Sequence, residues 1–372
     1  MNIAFDAKRA FLNTSGLGNY ARTLIKSLND YYPDNHYTLC TTRQGENEFQ
    51  ASLKQYKNIS IQEPQQFVDK KFRSRWRSYG ITALLNEHKI DVYHGLSNEL
   101  PFNISQFKGK KIVTTHDLIF LRYPKLYTLI DRKIYNKKFR HACDLADVII
   151  AISEETKRDI ERYYFIPENK IQVLYQSCSE SFYKESTSTA IENTIKKHQL
   201  PKEYLLYVGT IEERKNLLTL VAALKNIKDI PLVVVGNKRN YFHKVEDYIL
   251  KNKLKDRVLF LENVSANELP IIYRQAKIFI FPSIFEGFGI PIIEALTSKV
   301  PVITTKGACF PEAGGPNSIY VDPTDSVALS EQINYVLNSE STRIQMAEKG
   351  YEYAQKFHPK KCTEQLMALY KS

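Results

Sequence analysis

Short, nearly unbroken apolar runs, each followed by a longer amphipathic stretch, constrain this chain more than any other feature. In the first half these are "NIAFD" (2–6), "YTLCT", "DVYHG", "KIVTTH" and "DVIIAIS". In the second they are "YLLYVG" (204–209), "LVVVG" (232–236), "VLFLE" (258–262), "IFIFPS" (278–283) and "VPVITT" (300–305). Strands that are apolar on both faces need cover on both faces, and intervening helices supply it, so each series predicts a parallel sheet. Helices are expected at about 19–31, 216–226, 242–253, 266–275, 290–298, 325–338 and 340–356. Residues 174–203 are polar and Ser/Thr-rich, and are expected as a linker between the two series. The expected domains are 1–175 and 176–357. The tail "HPKKCTEQLMALYKS" has helical spacing, and it is expected to cross back to the first domain as residues 358–372.

A length of 372 residues allows two cores of ordinary size. No stretch approaches the roughly 18 unbroken apolar residues of a membrane span. The start, "MNIAFDAKRAFL", carries an acid and two bases where a signal peptide needs an apolar run, so a cytoplasmic protein is expected. Five cysteines, at 40, 143, 178, 309 and 362, form no CxxC pair, which indicates neither a disulfide framework nor a zinc site. Of the net charge of +11, residues 1–175 hold +8. That asymmetry points to an anionic partner for the first half: a phosphate-bearing substrate, an acidic membrane surface or nucleic acid.

In open parallel sheets ligands sit beyond the C-terminal strand ends, which makes the loops leaving the strands informative. After the first strand, "NTSGLGNYAR" places Gly16 and Gly18 just before a helix. There, bare backbone can approach an anion, or simply make a tight turn. The third glycine of a dinucleotide fingerprint is replaced by Ala21. After "KIVTT" stand His116 and Asp117, suited to a sugar hydroxyl or to capping the next segment; His94 after "DVY" is a weaker case of the same kind. After "YLLYVG", Arg214 and Lys215 lie between Gly209 and a helix starting near Asn216, where a forked and a compact cation suit a diphosphate. A solvated basic turn is the plainer reading.

"FEGFGIPIIEAL" (285–296) follows the strand "IFIFPS". Gly287 and Gly289 permit close backbone approach, and Pro291 suits the first turn of a helix. Helical side chains lean toward the N-terminus, so Glu294 should tilt back toward the mouth that Glu286 reaches from the loop. Ionised carboxylates accept hydrogen bonds and suit vicinal hydroxyls, while the amides between them offer an anion site. Hydroxyls at both ends with phosphate between describes a nucleotide sugar. Acids placed to favour a helix dipole would explain Glu294 but not Glu286.

With these residues in place, the chain resembles the retaining family 4 glycosyltransferases of the GT-B fold. "FEGFGIPIIEAL" is similar to their E-x7-E segment, "GTIEERKN" to their phosphate-binding loop, "GLGNY" to their N-terminal glycine loop and "THDL" to an acceptor-side strand end. The resemblance implies two Rossmann-like domains facing across a cleft, the first binding acceptor and the second donor. It implies donor-sugar contacts for Glu286, ribose contacts for Glu294, and diphosphate contacts for Arg214 and Lys215. The amides of Phe288 and Gly289 would support the diphosphate site, Gly209 and Ile290 would belong to the donor site, and Gly16 and Gly18 would let their loop approach the donor phosphate. His116 would lie near the reacting centre, with His94 and Asp117 on the acceptor side. The chain departs from the family in reading "VLYQSCSESF" where many members have Asn-Gly, and Gln176 and Ser177 receive no role.

These observations predict transfer of a hexose-type sugar, mannose, glucose or GlcNAc, from a GDP- or UDP-sugar to a saccharide or polyprenyl-linked acceptor in glycan synthesis. No cofactor is expected. The chain lacks a D-x-D triplet, in keeping with the metal-independent style the resemblance implies. A nucleotide-sugar epimerase or hydrolase on the same fold remains an alternative. A nicotinamide dehydrogenase is disfavoured by the broken glycine pattern, and nucleic-acid binding does not explain the carboxylate pair. "DKKFRSRWRSYG" (69–80) and "DRKIYNKKFRH" (131–141) interleave aromatics with Lys and Arg, as either a peripheral contact with the cytoplasmic face of an anionic membrane or a solvated face would.

Overall fold

The computed structural model describes residues 1–13, 16–45 and 48–372. The chain divides into two units, Met1–Ser177 with Pro359–Ser372, and Cys178–His358. Among the described residues the first unit holds strands β1 (Asn2–Asp6), β2 (His36–Cys40), β3 (Ile59–Gln62), β4 (Val92–Gly95), β5 (Lys110–Thr115), β6 (Val148–Ala151) and β7 (Ile171–Val173). They pair in the order β3-β2-β1-β4-β5-β6-β7, every pair parallel. The second unit holds β8 (Leu205–Val208), β9 (Leu232–Val235), β10 (Val258–Leu261), β11 (Ile278–Phe281), β12 (Val302–Thr305) and β13 (Ile319–Val321). Their order is β10-β9-β8-β11-β12-β13, again all parallel. Each unit is thus a Rossmann-like α/β layer structure, as the apolar runs require.

Among the central strands, β4, β9, β11 and β12 are buried end to end. The three strands that no apolar run announced, β3, β7 and β13, all lie at sheet edges. An edge strand is covered less, so its sequence needs less apolar content, and "ISIQ" and "IQV" look like loop until a neighbour pairs with them.

The stretch expected as a linker contains a helix, Ser188–His198. Thr187 caps it by accepting from the Ala190 amide at 3.2 Å, and Thr194 and His198 are buried. Arg274 fixes the residues before that helix, donating to the carbonyls of Phe182 (2.8 Å) and Lys184 (2.7 Å). The Ser/Thr content therefore marked a cap and a packed helix.

In the first unit, the helix Pro359–Lys371 packs on the helix Gly16–Tyr31, and Leu366, Met367 and Tyr370 join the core beneath β1 and β2. Lys110 reaches the Leu369 carbonyl at 2.7 Å. The glycine-bearing segment differs from expectation, because Gly16 and Gly18 lie in the first turn of the helix and not in a loop ahead of it.

Candidate active site

In the second sheet the strand order reverses between β8 and β11, and loops leaving neighbouring strands at such a reversal diverge and open a crevice. The loop after β8 is held close to its own sheet. A Cβ on Gly236 would stand 1.9 Å from the Gly209 carbonyl oxygen, so only glycine lets the two segments meet. Asn216 ends the loop in a left-handed conformation, φ 56°, before the helix Leu217–Ala223. Its side-chain amide donates to the carbonyls of Pro282 (3.1 Å) and Pro323 (2.6 Å), and its oxygen accepts from Thr219 (2.8 Å). The Ile284 amide donates to the Arg214 carbonyl at 2.9 Å. These bonds tie the loop after β8 to the loop after β11.

The result is a three-charge cluster. Arg214 Nη1 and Lys215 Nζ each lie 2.8 Å from Glu286 Oε1, and Ser283 Oγ donates to the same oxygen at 2.6 Å. Arg214 also donates to the Phe285 carbonyl (2.5 Å) and to Glu212 (2.6 Å). Lys215 Nζ sits 5.0 Å over the Phe281 ring, a cation–π contact. The Glu286 side chain is only 13% exposed. Burial alone would raise its pKa, but Arg214 and Lys215, with the hydrogen bonds from Lys215 and Ser283, outweigh burial and hold it at about 2.

Glu294 is eight residues on, in the helix Ile290–Thr297, and its environment acts oppositely. Burial raises it from 4.5 to about 7, against a hydrogen bond from Tyr273 and the more distant charge of Lys215. Tyr273 Oη donates to Glu294 Oε2 at 2.8 Å. One motif therefore holds a carboxylate fully ionised at neutral pH beside another poised near half-protonation. Because the unfolded chain ionises Glu294 near 4.5, native stability should fall as pH rises from 4.5 to 7, by up to about 3 kcal/mol. Urea unfolding of Glu294→Gln across pH 5–8 should show a flatter profile than the parent; an unchanged slope would overturn the shift.

The turn between the two acids is pinned from below. Gly289, at φ 116°, precedes the helix as its N-cap and has no side chain to cap it. Cys309, fully buried, directs its Sγ at the carbonyls of Glu286 (3.1 Å) and Phe288 (2.8 Å). Thr305 Oγ1 donates to the Ser283 carbonyl at 2.6 Å. The Phe288 ring is buried edge-on against Phe357 at 5.4 Å. Ile290 opens the helix, with Pro291 behind it in the first turn. Gly209, expected at the donor site, donates its amide to the Val235 carbonyl at 2.9 Å, because the loop continues the ladder past the strand end.

The first unit's candidates are more deeply committed to the fold than their positions suggested. His94 is fully buried, with Nδ1 2.6 Å from Tyr370 Oη and Nε2 2.7 Å from Thr114 Oγ1. Burial depresses its pKa to about 3. It is a core residue and does not face an acceptor, since a parallel strand covered on both faces buries even its polar end. His116 is also buried, and burial lowers it to about 4. Its Nε2 lies 2.8 Å from the Leu96 carbonyl, which can only accept, so Nε2 carries the proton and Nδ1 accepts from Gln176 Nε2 at 3.1 Å. Both ring nitrogens are thus engaged inside the unit: the Leu96 carbonyl sets the tautomer, and Gln176, given no role from sequence, donates to the nitrogen left bare. Asp117 Oδ1 accepts from the Ile119 amide at 3.1 Å and so starts the next helix.

Gly16 has open space where a side chain would stand. A Cβ on Gly18 would lie 2.0 Å from the Asn13 carbonyl oxygen, so its need for glycine comes from the chain's own backbone. Sequence reasoning also missed Asn216, Tyr273, Ser283 and Cys309. Of these only Asn216 carried a signal, an asparagine at a loop-to-helix junction directly after two cations.

Comparison with known proteins agrees with this geometry. The family model described as glycosyl transferases group 1 matches residues 190–353, and that described as glycosyltransferase family 4 matches residues 14–178. The O-antigen chain mannosyltransferase B of Escherichia coli is 29% identical over 294 residues, covering 77% of this chain and 76% of its own. The O-antigen chain mannosyltransferase RfbU of Salmonella typhimurium is 30% identical over 230 residues, 60% of each chain. Solved structures share the fold along the whole chain. Sucrose-phosphate synthase from Thermosynechococcus elongatus has a TM-score of 0.80 at 19% identity, covering 100% of this chain and 98% of its own. HepE from Anabaena, determined with UDP-glucose, has a TM-score of 0.78 at 17% identity, covering 100% and 99%. Two parallel-sheet Rossmann-like units, the paired loops after β8 and β11, and family matches on both halves lead to one conclusion: this chain belongs to the family 4, group 1 glycosyltransferases, built on the GT-B fold.

Proposed function

We propose that this chain moves a hexose, mannose foremost, from a nucleoside diphosphate sugar to a saccharide or lipid-linked saccharide in cell-surface polysaccharide synthesis, with retention at the anomeric carbon. One observation carries the reading: Arg214, Lys215 and Glu286 converge at the strand-order reversal, with Glu294 on the helix that follows. The mannosyltransferase names of two relatives favour mannose.

In this mechanism Arg214 and Lys215 take up the negative charge that develops as the bond from C1 to the diphosphate oxygen breaks. They act where a bound metal would otherwise serve. The acceptor hydroxyl attacks C1 from the face that the diphosphate leaves, and its proton passes to the departing phosphate oxygen. Glu286 positions the donor sugar's hydroxyls and does not attack C1. Three donors on Oε1 and a pKa of about 2 make it a weak nucleophile and a weak base. Glu294 accepts from the ribose when ionised.

Incubation with GDP-mannose, then with a panel of GDP- and UDP-sugars and saccharide acceptors, tests the reading. The expected product is an extended saccharide whose new linkage keeps the donor's anomeric configuration, with one nucleoside diphosphate released per transfer. Free sugar alone would indicate a hydrolase, and an epimerised nucleotide sugar an epimerase; either result sinks the transfer assignment.

A further inference from the structure

Nine of the sixteen large apolar side chains exposed on the described residues fall in two short segments of the first unit, 67–79 and 126–135. Phe67 is 82% exposed, Leu129 72% and Ile130 71%, with Val68, Phe72 and Ile134 beside them. Such a concentration is not the scattered exposure normal for a soluble surface.

The local sequence explains it. The helix Leu129–Leu145 buries Phe139, Ala142 and Cys143 in its later turns, while its first two turns project Leu129, Ile130 and Ile134 outward. In the other segment Trp76 turns inward and is buried, leaving Phe67, Val68 and Phe72 on the outside.

The two stretches, continued to Tyr79 and to His141, meet at one face. Phe102 lies between them, with its ring 5.7 Å from Tyr79 and 5.0 Å from His141, and Lys137 Nζ sits 5.9 Å over it. Beneath, Arg77 from the first segment and Lys138, one turn beyond the second, both bind Glu99, at 2.6 and 3.2 Å. Residues 67–80 and 125–140 together hold eleven Lys and Arg against two Asp. Lys70, Lys71, Arg75, Lys133, Lys137 and Arg140 are among the exposed cations.

We propose that this face docks the first unit on an anionic lipid bilayer, with the aromatic and aliphatic side chains in the headgroup boundary and the cations on acidic headgroups. The composition favours a bilayer over a protein partner, because protein interfaces are depleted in lysine and exposed lysine is abundant here. No helix among the described residues is long and apolar enough to cross a membrane, so the contact is peripheral. The inference stands apart from the donor-site reading and can be tested without turnover.

Flotation of the full chain with vesicles of 30% phosphatidylglycerol in phosphatidylcholine, at 50 and 500 mM NaCl, provides the test. Binding is expected at low salt, with strong weakening at high salt and little binding to pure phosphatidylcholine. Lys133→Gln/Lys137→Gln should lower partitioning by about fivefold per lysine. Leu129→Ser/Ile130→Ser should weaken binding at both salt concentrations. All four substitutions lie on the surface, and circular dichroism melting should match the parent. Failure of the parent to float with anionic vesicles at low salt overturns the proposal, as does parental binding by the lysine variant. A dimer that Leu129→Ser/Ile130→Ser dissociates, without vesicle binding, would assign the face to a second copy instead.

Discussion

Lys215→Ala should lower kcat for sugar transfer by about 10²–10³-fold, the effect of removing one donor from a preorganised oxyanion site. The ammonium reaches Glu286 with one of its protons and rests over the Phe281 ring, so its position is fixed before any diphosphate arrives. A fixed charge needs no reorganisation as the leaving group gains its own, and this is why the loss should fall on kcat more than on KM. Lys215→Arg should rescue little, because a planar fork does not fit where a compact ammonium packs against an aromatic face. Steady-state kinetics with the best donor would decide the matter, and unchanged turnover in Lys215→Ala would remove the diphosphate role.

Glu286→Ala should combine two losses. Transfer should fall severely, because the donor sugar loses its positioning acceptor, while circular dichroism at 25 °C remains native. Stability should also drop, by about 3 kcal/mol, because breaking a buried ion pair strands the remaining charges. Here Lys215 would lose its carboxylate, while Arg214 would keep Glu212. The sign of the pH dependence follows from the depressed ionisation. Glu286 contributes stability that is present above 4.5 and is lost as pH falls through about 2. The gap between parent and variant in urea unfolding should therefore be full at pH 7 and narrow between pH 4.5 and 2. Glu286→Gln, which keeps the shape and one acceptor, should lose less stability and still transfer poorly. Near-normal turnover in either variant would sink the donor-sugar assignment.

How much of this could be read in the sequence depended on where the information is local. The central strands were legible because burial on both faces demands unbroken apolar residues, and β1 falls on Asn2–Asp6 as its pattern indicates. Edge strands carry no such demand, and three of the four, β3, β7 and β13, were passed over. In the second unit the places of the charged groups were legible too, since Arg214, Lys215 and Glu286 lie in the loops at the strand-order reversal and Glu294 lies in the helix that follows. Their mutual contacts were not. Cations and acids were expected to address separate parts of a ligand, whereas in the structure Glu286 organises both cations directly. That contact is set by Asn216 and Ser283, whose hydrogen bonds join residues up to 107 positions apart. The partners of the histidines were hidden for a related reason. A strand-end position says where the backbone stops, but the partners of His94 and His116 come from residues 370 and 176.

The bond between His94 and Tyr370 also bears on the order in which the molecule is made. Domains generally fold as units during synthesis, N-terminal first. Here the first unit cannot close its core until residues 366–370 emerge, after all of the second unit has left the ribosome. Until then β4 carries a buried imidazole nitrogen with no hydroxyl to meet it, and the surface beneath β1 and β2 lacks its cover. The second unit, which is continuous in sequence, is therefore finished before the unit that begins first.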